Sequence, residues 1–309
     1  KEGLFGAPRY IWDNMANYSF LKEAKAYIVY GSTKLQLDMS SISFSQTFTE
    51  QTRSVRTLHN PTNVFEGSVI NTANPANFEM TVHLLIQPDL RILFDRLTDV
   101  QSFDLYIVAE DTYRLRNCFI TNGQINIERL RPLSLSISGE AAQLYSGVTL
   151  PSGMVLRTSA SPRTYNLCPD LSILLGGTNI SDQVVSVSME LQNEIEWTPY
   201  KTVNNALVTG GTMYPVGAAL KGKTLAGNIT RYLNSDTKSD ASVWGTGQSL
   251  RIKAGTILNS ALRGIDLDTT NCSFTNRITT GDVFTQNIDW RMVQNSASLT
   301  GVLSYITQS

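Results

Sequence analysis

The chain has 309 residues, 41% of them hydrophobic and 17% charged, with a formal net charge of −1. That length suits about two domains of ~150 residues, each able to bury a core. The charge is too small and too balanced for a general nucleic-acid binder, which carries a strongly basic face, and no run of about 18 apolar residues is present to span a membrane.

Residues 1–24 read as an arm. Gly3, Gly6 and Pro8 break any early element. The large apolar side chains Phe5, Tyr10, Ile11, Trp12, Tyr18 and Phe20 would not stay in water. The arm is therefore expected to pack on a neighbouring copy, with Phe5, Tyr10 and Trp12 as its contacts. It lacks the basic, apolar, then small-residue order of a secretory signal. A strand is predicted over 25–30.

The run LQLDMSSISFSQTFTEQT then alternates. Ile42, Phe44 and Phe48 face one way, and Ser43, Ser45, Thr47 and Thr49 the other. Period-two alternation means a strand with one wet face. Residues 51–77 hold Pro61, Gly67 and Pro75 among many Asn and Thr, and read as one long loop. A strand is predicted over 77–86. A short amphipathic helix follows over 89–97, with Leu90, Leu93, Phe94 and Leu97 at helical spacing. FDLYIVAED, TYRLRNCFITN and QINIERLRPLSLSISGEA read as strands. The last sets Leu133, Leu135 and Ile137 against Ser134, Ser136 and Ser138. Residues 148–163, with Pro151, Gly153 and Pro162, read as a linker.

The second half follows the same plan. In VVSVSMELQNEIEW, Val187, Met189, Leu191, Ile195 and Trp197 oppose Ser188, Glu190, Gln192, Glu194 and Glu196. Residues 198–224 read as a second long loop, and LAGNITRYL as the counterpart of the 77–86 strand. SDASVWGTGQSL stands where the helix should be, as a much weaker helix. Strands then run through RIKAGTIL, GIDLDTTNCSFTN, VFTQNIDWRMV and SLTGVLSYIT.

Segments 41–60 and 186–205 align without gaps. Ser41, Ser43, Thr57 and Asn60 meet Ser186, Ser188, Thr202 and Asn205, and Ile42, Phe44, Arg56 and Leu58 meet Val187, Met189, Lys201 and Val203. NCFITN (117–122) returns as NCSFTN (271–276) in the same order and at similar spacing. This predicts two tandem copies of one domain: an arm (1–24), repeat 1 (25–147), the linker (148–163) and repeat 2 (164–309). A chain with two similar faces can build a pseudo-doubled ring from half as many subunits.

Nothing in the chain reads as catalysis, and no cofactor or metal is expected. Cys118, Cys168 and Cys272 make an odd count without a framework, which argues for reduced thiols. No CxxC or HxxxH spacing offers a metal site. No GxSxG, HExxH or phosphate-binding loop appears. His59 sits in a loop beside Asn60, and its repeat-2 counterpart is Asn204; His83 lies in a strand. Glu194 and Glu196 share a strand face about 7 Å apart, but glycosidase carboxylates usually come from different elements.

The duplicated order of strand, long loop, strand, helix and paired strands resembles the tail tube proteins of long-tailed bacteriophages, most closely the duplicated tube protein of T-five-type siphophages. NCFITNGQINIERLRPLSLSISGEAAQL (117–144), NEIEWTPYKTVNNALVTGG (193–211) and LAGNITRYLNSDTKSDASVW (225–244) carry the likeness, which covers most of 25–307. It implies a mainly β chain of two tail-tube sandwich or half-barrel domains, each with one short helix. Three chains would close a ring around a central β-barrel, and stacked rings would form the hollow tail tube of the virion. The chain's partners would be itself, the tail terminator, distal tail and tape measure proteins, and double-stranded DNA passing without specific binding. It would be made in the host cytoplasm.

A DNA conduit must not hold its cargo, since Lys or Arg in the bore would neutralise phosphates. The resemblance therefore assigns Ser43, Ser45, Thr47, Thr49, Ser134, Ser136, Glu190, Gln192, Glu194, Glu196 and Asp289 to the bore, with Arg291 as a counter-example. It assigns Arg53, Arg56, His59, Asn60, Tyr200, Lys201 and Asn205 to loops that reach the next ring. There Arg53, Arg56 and Lys201 would pair with acids such as Glu23, Asp104 or Asp236, each exposed pair contributing ~0.2–1 kcal/mol. Two other functions fit the pattern less well. One is a tube-initiating distal ring or a secretion-system tube. The other is a carbohydrate-binding tail adhesin, which would need exposed aromatics where Trp197, Trp244 and Trp290 sit on apolar faces.

Overall fold

A computed structural model describes residues 24–57, 60–84, 91–128, 131–154, 165–197, 212–234, 244–293, 299 and 301–306. In chain order the first half contains β1 (Lys25–Tyr30), β2 (Thr33–Leu37), β3 (Met39–Ser45), β4 (Phe48–Thr57), β5 (Asn60–Ala73), β6 (Ala76–His83), α1 (Arg91–Asp99), β7 (Phe103–Val108), β8 (Thr112–Glu128) and β9 (Ser134–Tyr145). The second contains β10 (Asp170–Leu175), β11 (Thr178–Asn179), β12 (Val184–Trp197), β13 (Thr212–Met213), β14 (Ala218–Tyr232), β15 (Trp244–Leu258), β16 (Ala261–Thr279), β17 (Thr285–Met292) and β18 (Leu303–Ile306).

The first-half strands pair antiparallel in the order β2-β1-β7-β8-β9-β6-β3. The second-half strands pair antiparallel as β11-β10-β15-β16-β17-β14-β12. The order is the same, strand for strand. The two runs join where β12 pairs with β8, and β18 adds to β16, giving one open 15-stranded sheet.

Period-two alternation builds this architecture. In β6, Phe78, Met80 and Val82 are buried while Asn77 and Glu79 are exposed. In β9, Leu135 and Ile137 are buried between Ser134, Ser136 and Ser138. The inward residues form one core that runs through both halves, from Met80, Ile125 and Leu135 to Met189, Ile229 and Trp290. Helix α1 lies across the junction of the halves. Its Leu93, Phe94 and Leu97 are buried, and Phe94 stacks on Tyr305 of β18 with ring centroids 5.2 Å apart.

Several expectations need correction. The stretch 51–77 is not an irregular loop: β4 and β5 form a hairpin, which β13 joins as a parallel third strand. Main-chain pairing between β4 and β5 builds that ladder, and Pro61 lies next to Asn60 at the start of β5, where a missing N–H costs little. The part of 198–224 from Thr212 onward likewise holds β13 and the beginning of β14. From Trp244 onward the expected second helix is strand β15, and residues 235–243 lie outside the described residues. Gly123 does not end a strand. β8 runs through it, paired on both sides with Ile137 and Leu191, and a Cβ there would meet Leu97 Cδ2 at 2.5 Å, so the glycine admits the helix. Phe48 does not share the buried face of Ile42; the chain leaves β3 at Ser45, and Phe48 opens β4 as an exposed residue.

Candidate functional site

Eight consecutive antiparallel strands, β3-β6-β9-β8-β12-β14-β17-β16, present one polar face. One row of facing residues crosses it as Ser41, Thr81, Ser136, Gln124, Glu190, Ala226, Arg291 and Ser273. A parallel row runs through Ser134, Asn126, Ser188, Asn228, Asp289 and Thr275. The opposite face carries Val82, Leu135, Ile125, Met189 and Trp290, all buried. The division follows from the pleat, which sends successive side chains to opposite faces.

The polar side chains bind one another across the strands. Asn122 Nδ2 donates to Glu190 Oε1 at 2.8 Å, bridging the two halves, and Gln192 Nε2 donates to the same oxygen at 2.9 Å. Asn228 Nδ2 donates to Asp289 Oδ1 at 2.7 Å, and Thr230 Oγ1 to Asn287 Oδ1 at 2.9 Å. A shallow hollow of about 400 Å³ lies on the first-half part of this face, lined by Ser43, Glu79, Asn122 and Ser136 among others. Carboxylates on the face include Glu79, Glu190, Glu194 and Asp289. Arg277 and Arg291 share it, and the Arg277 guanidinium lies 3.8 Å from the Asp289 carboxylate. Such a wall of hydroxyls, amides and acids offers a phosphate backbone few cations to bind.

A model of the Bacteriophage Baseplate Tube Protein Family matches the chain over residues 16–98 and 87–306. The chain belongs to this family. A comparison with curated protein sequences finds none that matches. Membership in the baseplate tube family makes the chain a structural component of a phage tail. No helix among the described residues is long and apolar enough to cross a membrane.

Within this baseplate tube protein the residues predicted for the bore divide. Ser43, Ser45, Ser134, Ser136, Glu190, Gln192, Glu194 and Asp289 lie on the polar face described above. Glu196, near the end of β12, is paired with Lys221 at 3.0 Å, so a base offsets its charge. Thr47 and Thr49 leave the sheet. Thr47 accepts from Asn74 Nδ2 at 2.9 Å in the step between β3 and β4, and Thr49 Oγ1, on β4, donates to Asn74 Oδ1 at 3.3 Å. Glu79, Asn122, Gln124, Asn126, Asn228 and Arg277 join the face without having been singled out. The alternation in ANFEMTVH and GQINIE carried that signal, but only the strand pairing ties it to the serines of β3 and β9.

Of the residues assigned to ring stacking, Arg53 and Arg56 lie on β4 and Asn60 begins β5. His59, Tyr200, Lys201 and Asn205 lie outside the described residues, as do Phe5, Tyr10 and Trp12 of the arm. Trp290 is buried, and Trp197 Nε1 donates to Glu140 Oε2 at 2.6 Å beside Phe119. All three cysteines are free thiols. Burial pushes the Cys118 thiol well above its ordinary pKa, and those of Cys168 and Cys272 up to about 11, which keeps them protonated and unreactive near neutral pH. Among the described residues no cluster of His, Cys, Asp and Glu could hold a metal ion.

Proposed function

We propose that the chain is a tandem duplication of one tube domain, that three copies close into a pseudo-sixfold ring, and that the rings stack into a hollow tube through which double-stranded DNA leaves the capsid. The observation that carries this reading is the polar face spread over eight antiparallel strands, four from each half, with the core on its other side. The matching strand orders of the halves support the duplication. An open sheet with one wet face can bury its edges by joining the next copy into a barrel. The wet face then lines the bore, and its carboxylates and hydroxyls let phosphates pass without capture. The protein's role is structural, its tail partners are the terminator, distal tail and tape measure proteins, and it carries out no chemistry.

The family's description favours a second reading, in which the chain forms the segment of the tube at the baseplate. Electron microscopy of the purified protein tests the tube: stacked hollow rings support it, and solid or unassembled particles overturn it. Antibody labelling of the parent particle separates the two positions, since a shaft subunit is decorated along the tail and a baseplate segment only at its tip.

A further inference from the structure

The same strand occupies two different situations in the two halves. Inside the chain, β12 lies along the second part of β8, with Ser188 opposite Asn126, Met189 opposite Ile125 and Glu190 opposite Gln124. By strand order, the twin of β12 is β3 and the twin of β8 is β16. Facing partners set the correspondence residue by residue. The path Ser43, Glu79, Ser138, Asn122 in the first half is the path Ser188, Asn228, Asp289, Thr275 in the second. Asn122 therefore corresponds to Thr275, Ile125 to Ile278, and Met189 to Phe44.

What the junction covers in one half is bare in the other. Ile125 is 2% exposed and its twin Ile278 is 46% exposed. Leu133 and Phe284 are a second such pair, because the Leu84 N–H donates to the Leu133 carbonyl as the Leu233 N–H does to that of Phe284. Leu133 is fully buried under the segment entering the second half, and its N–H donates to the Asn166 carbonyl at 2.7 Å; Phe284 is 54% exposed. Among the described strands, β3 pairs only with β6, and β16 from Arg277 onward pairs only with β17.

We propose that the outer edge of β3 in one copy adds to residues 277–279 at the end of β16 in a second copy, antiparallel, in the register of the internal β12–β8 junction. Ser45 then faces Arg277, Phe44 faces Ile278, and Ser43 faces Thr279. Phe44 covers Ile278 as Met189 covers Ile125, while Ser43, Ser45, Arg277 and Thr279 continue the polar face. Main-chain hydrogen bonds hold the edges, and the apolar pair sets the register. The two edges differ, so the contact is head-to-tail and repeats from copy to copy. Only its closure into a ring rests on the tube reading above.

Directly opposed residues on antiparallel strands place their Cβ atoms ~4.5–5.5 Å apart, within disulfide reach after small adjustment. The full-length Ser43→Cys/Thr279→Cys variant, oxidised during assembly, is expected to run as covalently linked multimers on a non-reducing gel. A Ser43→Cys/Thr275→Cys variant, four residues out of register, is expected to stay unlinked. No link in the first variant, or equal links in both, overturns the proposal. Ile278→Lys changes an exposed side chain, so the monomer's melting temperature should hold while the sedimenting, assembled fraction falls at least tenfold; unchanged assembly overturns the contact. Tubes under the microscope without the in-register link would sink this contact and leave the tube reading standing. The link without tubes would do the reverse.

Discussion

Asn193 of β12 donates its side-chain amide to the carbonyl of Leu97 in α1, at 3.1 Å, and to that of Ile120 in β8, at 2.9 Å. Both acceptors need an outside partner. Leu97 lies in the last turn of the helix, where carbonyls lose their intrahelical donors. Ile120 borders the register shift between Ile120 and Asn122. The second half of the chain thus satisfies orphan groups of the first, and the Lys223 ammonium does the same for the Thr98 carbonyl. Asn193→Ala should destabilise the monomeric chain by about 2–6 kcal/mol, since it leaves two carbonyls unpaired at 1–3 kcal/mol each. Asn193→Asp should cost more, because a carboxylate cannot donate and faces two carbonyl oxygens. Urea unfolding midpoints of the three proteins check the order.

Phe78 faces Gly139 across β6 and β9, and Gly227 faces Trp290 across β14 and β17. These are twin positions with the aromatic and the glycine exchanged between strands. One large and one absent side chain fill the same space in each half. A Cβ at Gly227 would lie 2.2 Å from the Ser188 carbonyl oxygen and 2.7 Å from Trp290 Cζ2. Gly227→Ala should therefore lower stability by about 1–3 kcal/mol through overpacking. Gly31→Ala makes a contrast: nothing lies within 4 Å of its Cβ, and the cost there is only that of a backbone at φ 55°. Thermal unfolding of both variants measures the difference.

Burial raises the Cys168 and Cys272 thiols to about 11 and the Tyr305 hydroxyl to about 12. A group whose folded-state pKa is raised holds its proton more tightly in the folded chain. Its stabilisation is full below the unfolded value, near 9 for a thiol, and is lost as pH climbs through the folded value. Stability should stay flat in this respect up to pH 9 and fall between pH 9 and 12. Cys272→Ala removes one contributor and should flatten the fall between pH 9 and 11. Melting temperatures across that range test the slope.

The polar face carries more acids than bases, and reversing that balance tests its proposed place in the bore. Glu79→Lys combined with Glu194→Lys changes two exposed residues on this face. Tubes should still assemble, and genome ejection should slow, more so at low salt, because added cations would hold phosphates. Ejection at the parental rate would show that this face does not meet DNA.

Period-two alternation in the chain announced a mainly β protein with a wet face and a dry face. It also marked Ser43, Ser134, Ser136, Glu190, Gln192 and Asp289 as polar-side residues before any strand was paired. The gapless match of 41–60 with 186–205 set β3 beside β12, which hold the same place in the strand orders of the two halves, although β12 runs on to Trp197 where β3 stops at Ser45. Local pattern could carry these facts because a strand's side-chain parity depends only on its own residues. It could not tell loop from hairpin over 51–77, where the β4–β5 ladder is held by pairing partners rather than by propensity. Nor could it show why a glycine stands inside strand β8 at position 123, since the reason is Leu97, 26 residues earlier in the chain. The joining of the halves through Met189 and Ile125, and the bareness of Ile278 at the twin position, were decided only in three dimensions. Which edge finds a neighbour depends on the path of the whole sheet, and hydrogen bonds between distant strands leave no periodicity in either one alone.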